Sequence, residues 1–227
     1  AGDTEEALTT INDLKQLVGQ KIAIIDFREA WIYYHSHQLE KAIEKFETFL
    51  TEHAQDDRLG KQAKFSLSAI YVQTGDTRKG EEILEKFLAE NPDDPGVNND
   101  LGYLYADQGK NLEKARSMIQ KAVDAEPENG AYLDSLGWVL FKLGEFEEAT
   151  KWLIKASKTE SGEDSTIWDH LGDCQHGMKD VPAARESWTK AIKLEKAEAH
   201  PDEKLLKQIE EKLKIHTTEA GATRAEK

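Results

Sequence analysis

The sequence is poor in cysteine and in long apolar runs, and its basic residues are outnumbered by acidic ones. Cys174 is the one cysteine, which excludes an internal disulfide framework and leaves the redox state of the compartment open. No apolar run approaches the roughly 20 residues that a helix needs to cross a bilayer, and the longest are short pieces such as residues 22–25. Direct insertion into a membrane is therefore not expected.

The charge balance argues against two further classes of partner. The chain carries 30 basic and 44 acidic residues, which gives a net charge of -14. Nucleic-acid binding needs a basic face that neutralises phosphates, and docking on anionic lipid needs a similar basic cluster. Neither a nucleic acid nor an anionic lipid surface is therefore an expected partner.

Motifs of catalysis and cofactor binding are also missing. The sequence contains no phosphate-binding loop of the type G-x-x-x-x-G-K-S/T, no G-x-G-x-x-G, no G-x-S-x-G, no H-E-x-x-H and no C-x-x-C. The spacing of an EF-hand is absent too, despite the acidity. We therefore expect no catalytic residue, no cofactor and no resident metal, and the chain is not predicted to be an enzyme.

What the sequence does contain is an internal repeat. Similar stretches surround Gly102, Gly137 and Gly172, which are spaced 35 and 35 residues apart. An alanine follows each glycine at a similar distance; these are Ala115, Ala149 and Ala184. Fainter copies lie upstream, with Ser68 and then Ala30 in the glycine position. A fixed period in this range predicts a solenoid, here of about five units with the terminal units atypical.

Each unit has the pattern of a helical hairpin. In the unit around Gly137, Leu133 and Leu140 lie on one apolar stripe of the first helix, and Gly144 ends that helix. A glycine inside a helix costs about 1 kcal/mol relative to alanine. We expect the small residues Gly137 and Ala149 to offset that cost by letting the two helices approach closely. Because one hairpin cannot bury its stripe alone, neighbouring hairpins must stack.

These units resemble the tetratricopeptide repeat. The family pattern is a Leu-Gly pair, an aromatic residue or leucine, a loop glycine, and then alanine, a large apolar residue, alanine and proline. One unit carries the whole pattern, at Leu101, Gly102, Tyr105, Gly109, Ala115, Ile119, Ala122 and Pro127. The resemblance extends over residues 23–198. It implies an all-α fold, a right-handed α-solenoid of helix-turn-helix hairpins with capping helices at its ends.

The predicted domain organisation follows from this register. An N-terminal helix over residues 1–22 and a C-terminal helix over residues 199–216 cap the array, and a disordered tail is expected over residues 217–227. The five hairpins are assigned to residues 23–60, 61–94, 95–129, 130–164 and 165–198. Residues 52–60 are expected to form a long loop after the first hairpin.

The resemblance also implies a candidate site, because in this family the first helix of each hairpin lines a concave groove that holds peptide or protein segments. The groove residues share a stripe that is offset from the packing stripe of each first helix. They are Trp31, Tyr34, Asn99, Tyr103, Asp107, Asp134, Trp138, Phe141, Asp169, Asp173 and His176. Aromatic residues are typical anchors of interfaces, and carboxylates that line a concavity focus negative potential. We therefore expect a partner segment that combines a basic residue with an apolar or aromatic anchor.

Simpler interpretations stay open for these side chains. Trp138 and Phe141 would instead pack against the next hairpin, since solenoid helices bury more than one face, and the aspartates would only be solvated. Asp169, Asp173 and His176 also recur at i, i+4 and i+7, a spacing that suits a metal ion. We favour a solvated polar face there, because structural metal sites usually add paired ligands from a second segment.

The predicted function is non-catalytic protein–protein interaction, as an adaptor or scaffold. Family members that clamp the C-terminal carboxylate of chaperones carry Lys, Arg and Asn on this face. Asp134 and Asp169 stand here instead, so the C-terminal tail of a chaperone is not an expected ligand. One alternative is self-association, in which a terminal hairpin docks in the groove of another copy and generates rings or filaments. Another is that the chain is the recognition array of a larger enzyme or of an exported protein.

The compartment is left open between the cytoplasm and the periplasm. The chain begins with AGDTEEA, without an initiator methionine or a signal peptide. A mature exported protein and a fragment of a longer chain would both begin in this way. The phrases NNDLGYLYADQG and YLDSLGW resemble tetratricopeptide segments of bacterial, often exported, proteins, which favours export.

Overall fold

The computed structural model describes residues 2–19, 21–199 and 201–222, and every regular element in those ranges is an α-helix. The helices are α1 (Gly2–Val18), α2 (Ala23–His35), α3 (Leu39–Glu52), α4 (Asp57–Gln73), α5 (Thr77–Glu90), α6 (Pro95–Asp107), α7 (Leu112–Ala125), α8 (Gly130–Lys142), α9 (Phe146–Ala156), α10 (Ser165–Gly177), α11 (Val181–Glu195) and α12 (Glu203–Ala222). The predicted all-α helical repeat fold is confirmed. None of these helices is long and apolar enough to span a membrane.

The chain divides into two compact units. The first is Ala1–Pro92, with α1 to α5, and the second is Asp93–Lys227, with α6 to α12. The first contains the hairpins α2–α3 and α4–α5, and the second contains α6–α7, α8–α9 and α10–α11.

The turn inside each hairpin is built in the same way. Its central residue has a positive φ, at His37 (+56°), Gly75 (+90°), Gly109 (+67°), Gly144 (+82°) and Lys179 (+65°). Glycine adopts this left-handed conformation without the steric cost that a Cβ brings. The loop glycine of the repeat therefore marks a backbone geometry that all five hairpins share.

Polar side chains fix where the first helices of the second unit begin. The carboxylate of Asp94 accepts a hydrogen bond from the backbone N–H of Val97 at 3.1 Å. Asn129 and Asp164 accept backbone N–H bonds in the same way at the starts of α8 and α10. Such a cap contributes about 1 kcal/mol to helix stability, so the three helices start at equivalent points of their repeats.

An aromatic core holds the first unit together. Phe27 packs edge-on against Phe46 and Phe49, with ring centroids 5.8 and 5.5 Å apart. On α1, which packs against α2, Ile11 is buried and Lys15 pairs with Asp26, the Nζ–Oδ1 distance being 2.7 Å. The N-terminal helix is thus held by both an apolar contact and an ion pair.

Close helix approach in the second unit depends on the repeat glycines. A Cβ added at Gly137 would lie 2.5 Å from Cγ of Leu153, and one added at Gly172 would lie 2.4 Å from the Trp188 ring. In each case the second helix of the hairpin fills the space where a side chain would begin. These contacts explain why the chain accepts a glycine in the middle of α8 and of α10.

In the hairpin of α4 and α5 the glycine lies on the second helix instead of the first. Ser68 stands in the glycine position and is buried, and its Oγ donates a hydrogen bond to the carbonyl oxygen of Gly80 at 2.9 Å. Gly80 occupies the alanine position, where a Cβ would lie 2.9 Å from the Ser68 carbonyl oxygen. The serine and the glycine therefore compensate each other across the hairpin.

The boundary between the first two hairpins differs from the one expected. Helix α4 begins at Asp57, inside the segment 52–60 that was predicted to be a loop. The carboxylate of Asp56 caps it by accepting a bond from the backbone N–H of Leu59 at 2.8 Å, and Leu59 itself is buried. A capping aspartate and a buried leucine thus convert the second half of the segment into helix.

The C-terminal helix α12 packs on α11. The Asp202 carboxylate caps it by accepting from the backbone N–H groups of Lys204 and Leu205 at 2.8 and 3.0 Å. Ile209 is fully buried in a cluster that includes Trp188. The helix continues beyond residue 216 to Ala222, into the predicted tail, and residues 223–227 lie outside the described residues.

We expect Gly137→Ala to lower the free energy of unfolding by about 1–3 kcal/mol, because the added methyl group overlaps Leu153. Gly60→Ala is the matched control, since Gly60 lies in α4 with open space at its Cβ position. That variant should raise stability by about 0.5–1 kcal/mol through helix propensity. Urea unfolding followed by far-UV circular dichroism measures both, and equal effects of the two variants would contradict the packing explanation.

Candidate protein-interaction surface

The first helices of the second unit, α6, α8 and α10, pack in sequence against one another. Nine of the eleven predicted groove residues lie on these helices. We call their set the first-helix surface, and its members are Asn99, Tyr103, Asp107, Asp134, Trp138, Phe141, Asp169, Asp173 and His176.

The other two predicted groove residues belong to the first unit. Trp31 and Tyr34 lie on α2, with their rings edge-to-face at 5.3 Å, and both are partly buried against the core of that unit. Trp31 also lies 6.2 and 6.3 Å from the rings of Phe27 and Phe46. Their contacts are those of core residues at the edge of the aromatic cluster.

Trp138 is the centre of the first-helix surface. Its ring stacks on the imidazole of His170 at 4.0 Å and on the ring of Phe141 at 5.0 Å, with an interplanar angle of 13° in both cases. The ammonium group of Lys142 lies 4.5 Å from the centroid of the same ring. The stack of Trp138 on His170 thus joins α8 to α10, and Lys142 adds a cation–π contact within α8.

His170 joins the two helices by a second contact. Its Nδ1 lies 3.0 and 3.2 Å from the two carboxylate oxygens of Asp134, and both side chains are buried. Burial disfavours the imidazolium, but the charge and hydrogen bond of Asp134 outweigh it, so the pKa of His170 is raised. The ring of Tyr103 lies 6.4 Å away, and burial followed by the charge of Asp134 raises the pKa of Tyr103.

Two buried polar atoms on this surface lack a partner. Within the described residues, the buried side-chain atoms without a hydrogen bond are Asn99 Oδ1, Trp138 Nε1 and Arg185 Nη1. Asn99 and Trp138 are only 6% and 8% exposed. A buried donor or acceptor left unpaired costs about 1–3 kcal/mol. One acceptor on α6 and one donor on α8 therefore have a hydrogen-bonding capacity that the described residues leave unused, although both atoms are almost inaccessible to solvent.

The acidic end of the surface already holds a cation. Nζ of Lys212, on α12, lies 2.7 and 2.9 Å from the two oxygens of Asp169 and 2.8 Å from an oxygen of Asp173. Asp173 also accepts a bond from Nε1 of Trp188 at 3.1 Å. Burial and the charge of Asp173 raise the pKa of Asp169, and Lys212 opposes that rise.

The remaining two predicted residues lie at the ends of their helices. Asp107 is exposed, and its carbonyl oxygen accepts a bond from Nζ of Lys142 at 3.0 Å. His176 is half-buried, with its ring 5.8 Å from that of Trp188. The spacing of Asp169, Asp173 and His176 that suggested a metal brings the two aspartates onto an ammonium group.

Cys174 lies behind this surface. Its thiol is fully buried, and burial raises its pKa, so the sulfur stays protonated. Elsewhere, in the first unit, Asp26, Glu52 and His53 bring ligand atoms within 4.8 Å of one another. Two of these three groups are already paired with lysines. Asp26 pairs with Lys15, and Glu52 pairs with Lys21 of the loop between α1 and α2.

The prediction missed three side chains that shape the site: Lys142, His170 and Lys212. His170 stands where the preceding repeat has Ser135, so the register marks it as a departure from the repeat. No sequence signal shows that it reaches back to Asp134. Lys212 lies on a capping helix that has no counterpart in the repeat, so its target could not be deduced from the period.

We expect the stability of the second unit to depend on pH through His170. Its pKa is raised above an unfolded value of about 6.5, so the pair with Asp134 contributes fully below that pH and is lost as pH rises through the raised pKa. His170→Gln should cost about 3 kcal/mol near pH 6, where it leaves a buried carboxylate unpaired, and less near pH 9. Urea unfolding at both pH values measures this difference.

The control for this prediction is His35→Gln. His35 is exposed on α2, where its ring stacks on Trp31 at 4.9 Å, so its replacement measures what the loss of an imidazole outside the Asp134 pair costs at each pH. If His170→Gln costs the same at both pH values, the imidazole is not charged in the folded protein.

Comparison with known proteins supports the resemblance to the tetratricopeptide repeat over part of the chain. Residues 71–136 match a family model described as tetratricopeptide repeat. Over 103 residues the chain is 30% identical to the Photosystem I assembly protein Ycf3 of Prochlorococcus marinus, a match covering 45% of this chain and 58% of that protein. The chain thus spans 58% of the length of this curated relative.

Solved structures share the fold. A thermophilic TPR protein from Thermus thermophilus matches with a TM-score of 0.67 and 21% identity, over 84% of this chain and 98% of that one. A tetratricopeptide repeat protein from Parabacteroides merdae matches with a TM-score of 0.69 and 17% identity, over 94% of this chain and 78% of that one. Residues 71–136 thus match the tetratricopeptide repeat family, and most of the chain has the helical repeat fold of solved tetratricopeptide repeat proteins.

Proposed function

We propose that the chain is a non-catalytic interaction module whose first-helix surface binds a segment of a partner protein. Tetratricopeptide repeat proteins generally act as interaction scaffolds, and the family match supports that class of function here. The observation that carries the proposal is the unpaired Nε1 of Trp138 together with the unpaired Oδ1 of Asn99.

A peptide main chain has the chemistry that these two atoms require. Its C=O groups accept hydrogen bonds and its N–H groups donate them. Both atoms are almost inaccessible to solvent in the free protein, so a local movement of the two side chains would let one amide unit satisfy Trp138 and another satisfy Asn99. The contact would replace two buried, unpaired groups by two hydrogen bonds, each worth about 1 kcal/mol net. Trp138 and Asn99 would thus fix the backbone of the segment without reading its sequence.

Side-chain preference would come from the aromatic stack and the aspartates. The half-buried Phe141 and Tyr103 extend the apolar area around Trp138, which suits an apolar or aromatic anchor on the partner. Asp169 and Asp173 suit a basic residue, and the three short contacts of Lys212 support that preference because an ammonium group already binds there. The proposed ligand is therefore a segment with a basic residue beside an apolar or aromatic one.

The test compares two tryptophans of one hairpin. Peptides of about twelve residues, selected from a displayed random library on the wild-type chain, would be titrated against Trp138→Phe and Trp152→Phe by fluorescence anisotropy. Trp152 lies on the second helix α9, so its replacement should leave the affinity unchanged. Trp138→Phe removes the unpaired N–H and should weaken binding about fivefold to tenfold, the value of one hydrogen bond.

Equal affinities of the two variants would contradict the proposal, provided that both variants keep the circular dichroism spectrum of the wild type. Light scattering over a range of protein concentrations, without peptide, tests self-association separately. A mass that rises with concentration and falls in Trp138→Phe would assign the first-helix surface to a second copy of the chain instead.

A further inference from the structure

We propose that Asp169 and Asp173 form a binding site for a lysine ammonium group, that Lys212 of α12 fills it in the free protein, and that a lysine of the partner takes its place. This inference rests on the proposed function of the first-helix surface. It adds a competition between the capping helix and the ligand for one site.

The geometry of the site selects an ammonium group. Nζ of Lys212 meets three carboxylate oxygens at 2.7, 2.9 and 2.8 Å. An ammonium group has three N–H donors around one atom, so it can satisfy all three oxygens at once. The planar fork of arginine spreads its donors over several nitrogens and suits one carboxylate rather than two converging ones. The partner residue is therefore a lysine.

The two halves of the contact differ in their access to water. The side chains of Asp169 and Asp173 are 9% and 15% exposed, whereas that of Lys212 is 28% exposed. Lys212 can therefore withdraw into solvent, but the carboxylates cannot be hydrated to the same extent when it leaves. Since two buried carboxylates on adjacent turns repel each other, the site retains a need for a cation whichever molecule supplies it.

The attachment of α12 leaves Lys212 free to exchange. Leu206 and Ile209 of this helix are buried, and Ile209 packs in a cluster around Trp188 against which Leu205 and Leu213 also pack. Lys212 is one turn beyond Ile209 and bonds to α10. Because the Lys212 side chain is partly exposed, it can move into solvent while these leucines and Ile209 keep the helix on α11.

The site is continuous with the aromatic stack. Asp169 directly precedes His170, and the imidazole of His170 lies on Trp138. The charge of Asp169 also acts on His170, so the two parts of the surface are close enough for one segment with an aromatic residue and a lysine a few positions away to contact both. Replacement of one ammonium by another conserves the charge of the buried cluster.

The experiment uses the full chain and three variants. Lys212→Gln removes the internal ammonium, Lys207→Gln removes an exposed lysine elsewhere on α12 as the matched control, and Asp169→Asn with Lys212→Gln removes part of the site as well. The probes are synthetic peptides with one phenylalanine and one lysine, separated by about two to six residues, and the same peptides with norleucine in place of lysine.

We expect lysine peptides to bind Lys212→Gln about tenfold more tightly than wild type, a gain of about 1.4 kcal/mol. The gain should vanish with norleucine peptides and in the double variant, and Lys207→Gln should match the wild type. An equal gain with norleucine peptides, or in Lys207→Gln, would overturn the proposal.

A second measurement needs no variant. Hydrogen exchange of the wild-type chain with a lysine peptide bound should become faster in the turn of α12 that carries Lys212, because Lys212 has lost its partners. Unchanged or slower exchange there would overturn the competition. If peptides bind through Trp138 but show no lysine or Lys212 dependence, this inference alone fails; if binding is also independent of Trp138, the proposed function fails with it.

Discussion

The contact between a repeat glycine and a large side chain of the following helix sets the geometry of every hairpin in the second unit. Gly102 faces Ile119, just as Gly137 faces Leu153 and Gly172 faces the ring of Trp188. At these points one helix lies where the first atom of a side chain would stand. A Cβ atom at these glycines would overlap the facing helix, and a close-packed interface has no room for it. The glycines therefore permit the short distance between the paired helices.

This spacing also decides which residues reach the first-helix surface. Because α6, α8 and α10 meet their partner helices through the same register position, their other faces carry equivalent residues, such as Asn99, Asp134 and Asp169. Equivalent positions have nevertheless acquired different partners. Asn99 keeps an unpaired oxygen, whereas Asp134 binds His170 and Asp169 binds Lys212. The backbone repeats, and the chemistry of the surface does not.

This contrast between a repeated backbone and a varied surface explains which features of the structure the sequence could predict. The period predicts the hairpins and their turns, because Gly109 and Gly144 recur at the positions that need a positive φ. The exchange of small residues at Ser68 and Gly80 preserves the contact while breaking the pattern, so it is visible only as a fainter repeat.

Contacts between different helices are harder to predict. The link of His170 to Asp134 joins two hairpins, and a repeat pattern describes each hairpin separately. The contact of Lys212 with Asp169 comes from a helix outside the repeat, where amphipathicity predicts the buried Ile209 but leaves the direction of a charged side chain undetermined. The same reason applies to the start of α4, where only the structure shows that Asp56 caps the helix.

The charges of the surface bear on how it would discriminate between partners. A net charge of -14 attracts basic segments at long range, but at contact the buried carboxylates already have partners. Asp134 contacts His170, and Asp169 and Asp173 share the ammonium group of Lys212. An incoming lysine therefore exchanges one ion pair for another, which changes the free energy little. Under the proposed function, net affinity would then come from groups that gain a partner on binding, as Trp138 and Asn99 would. Charge would thus favour the approach of the partner, and the contacts around the aromatic stack would determine the affinity.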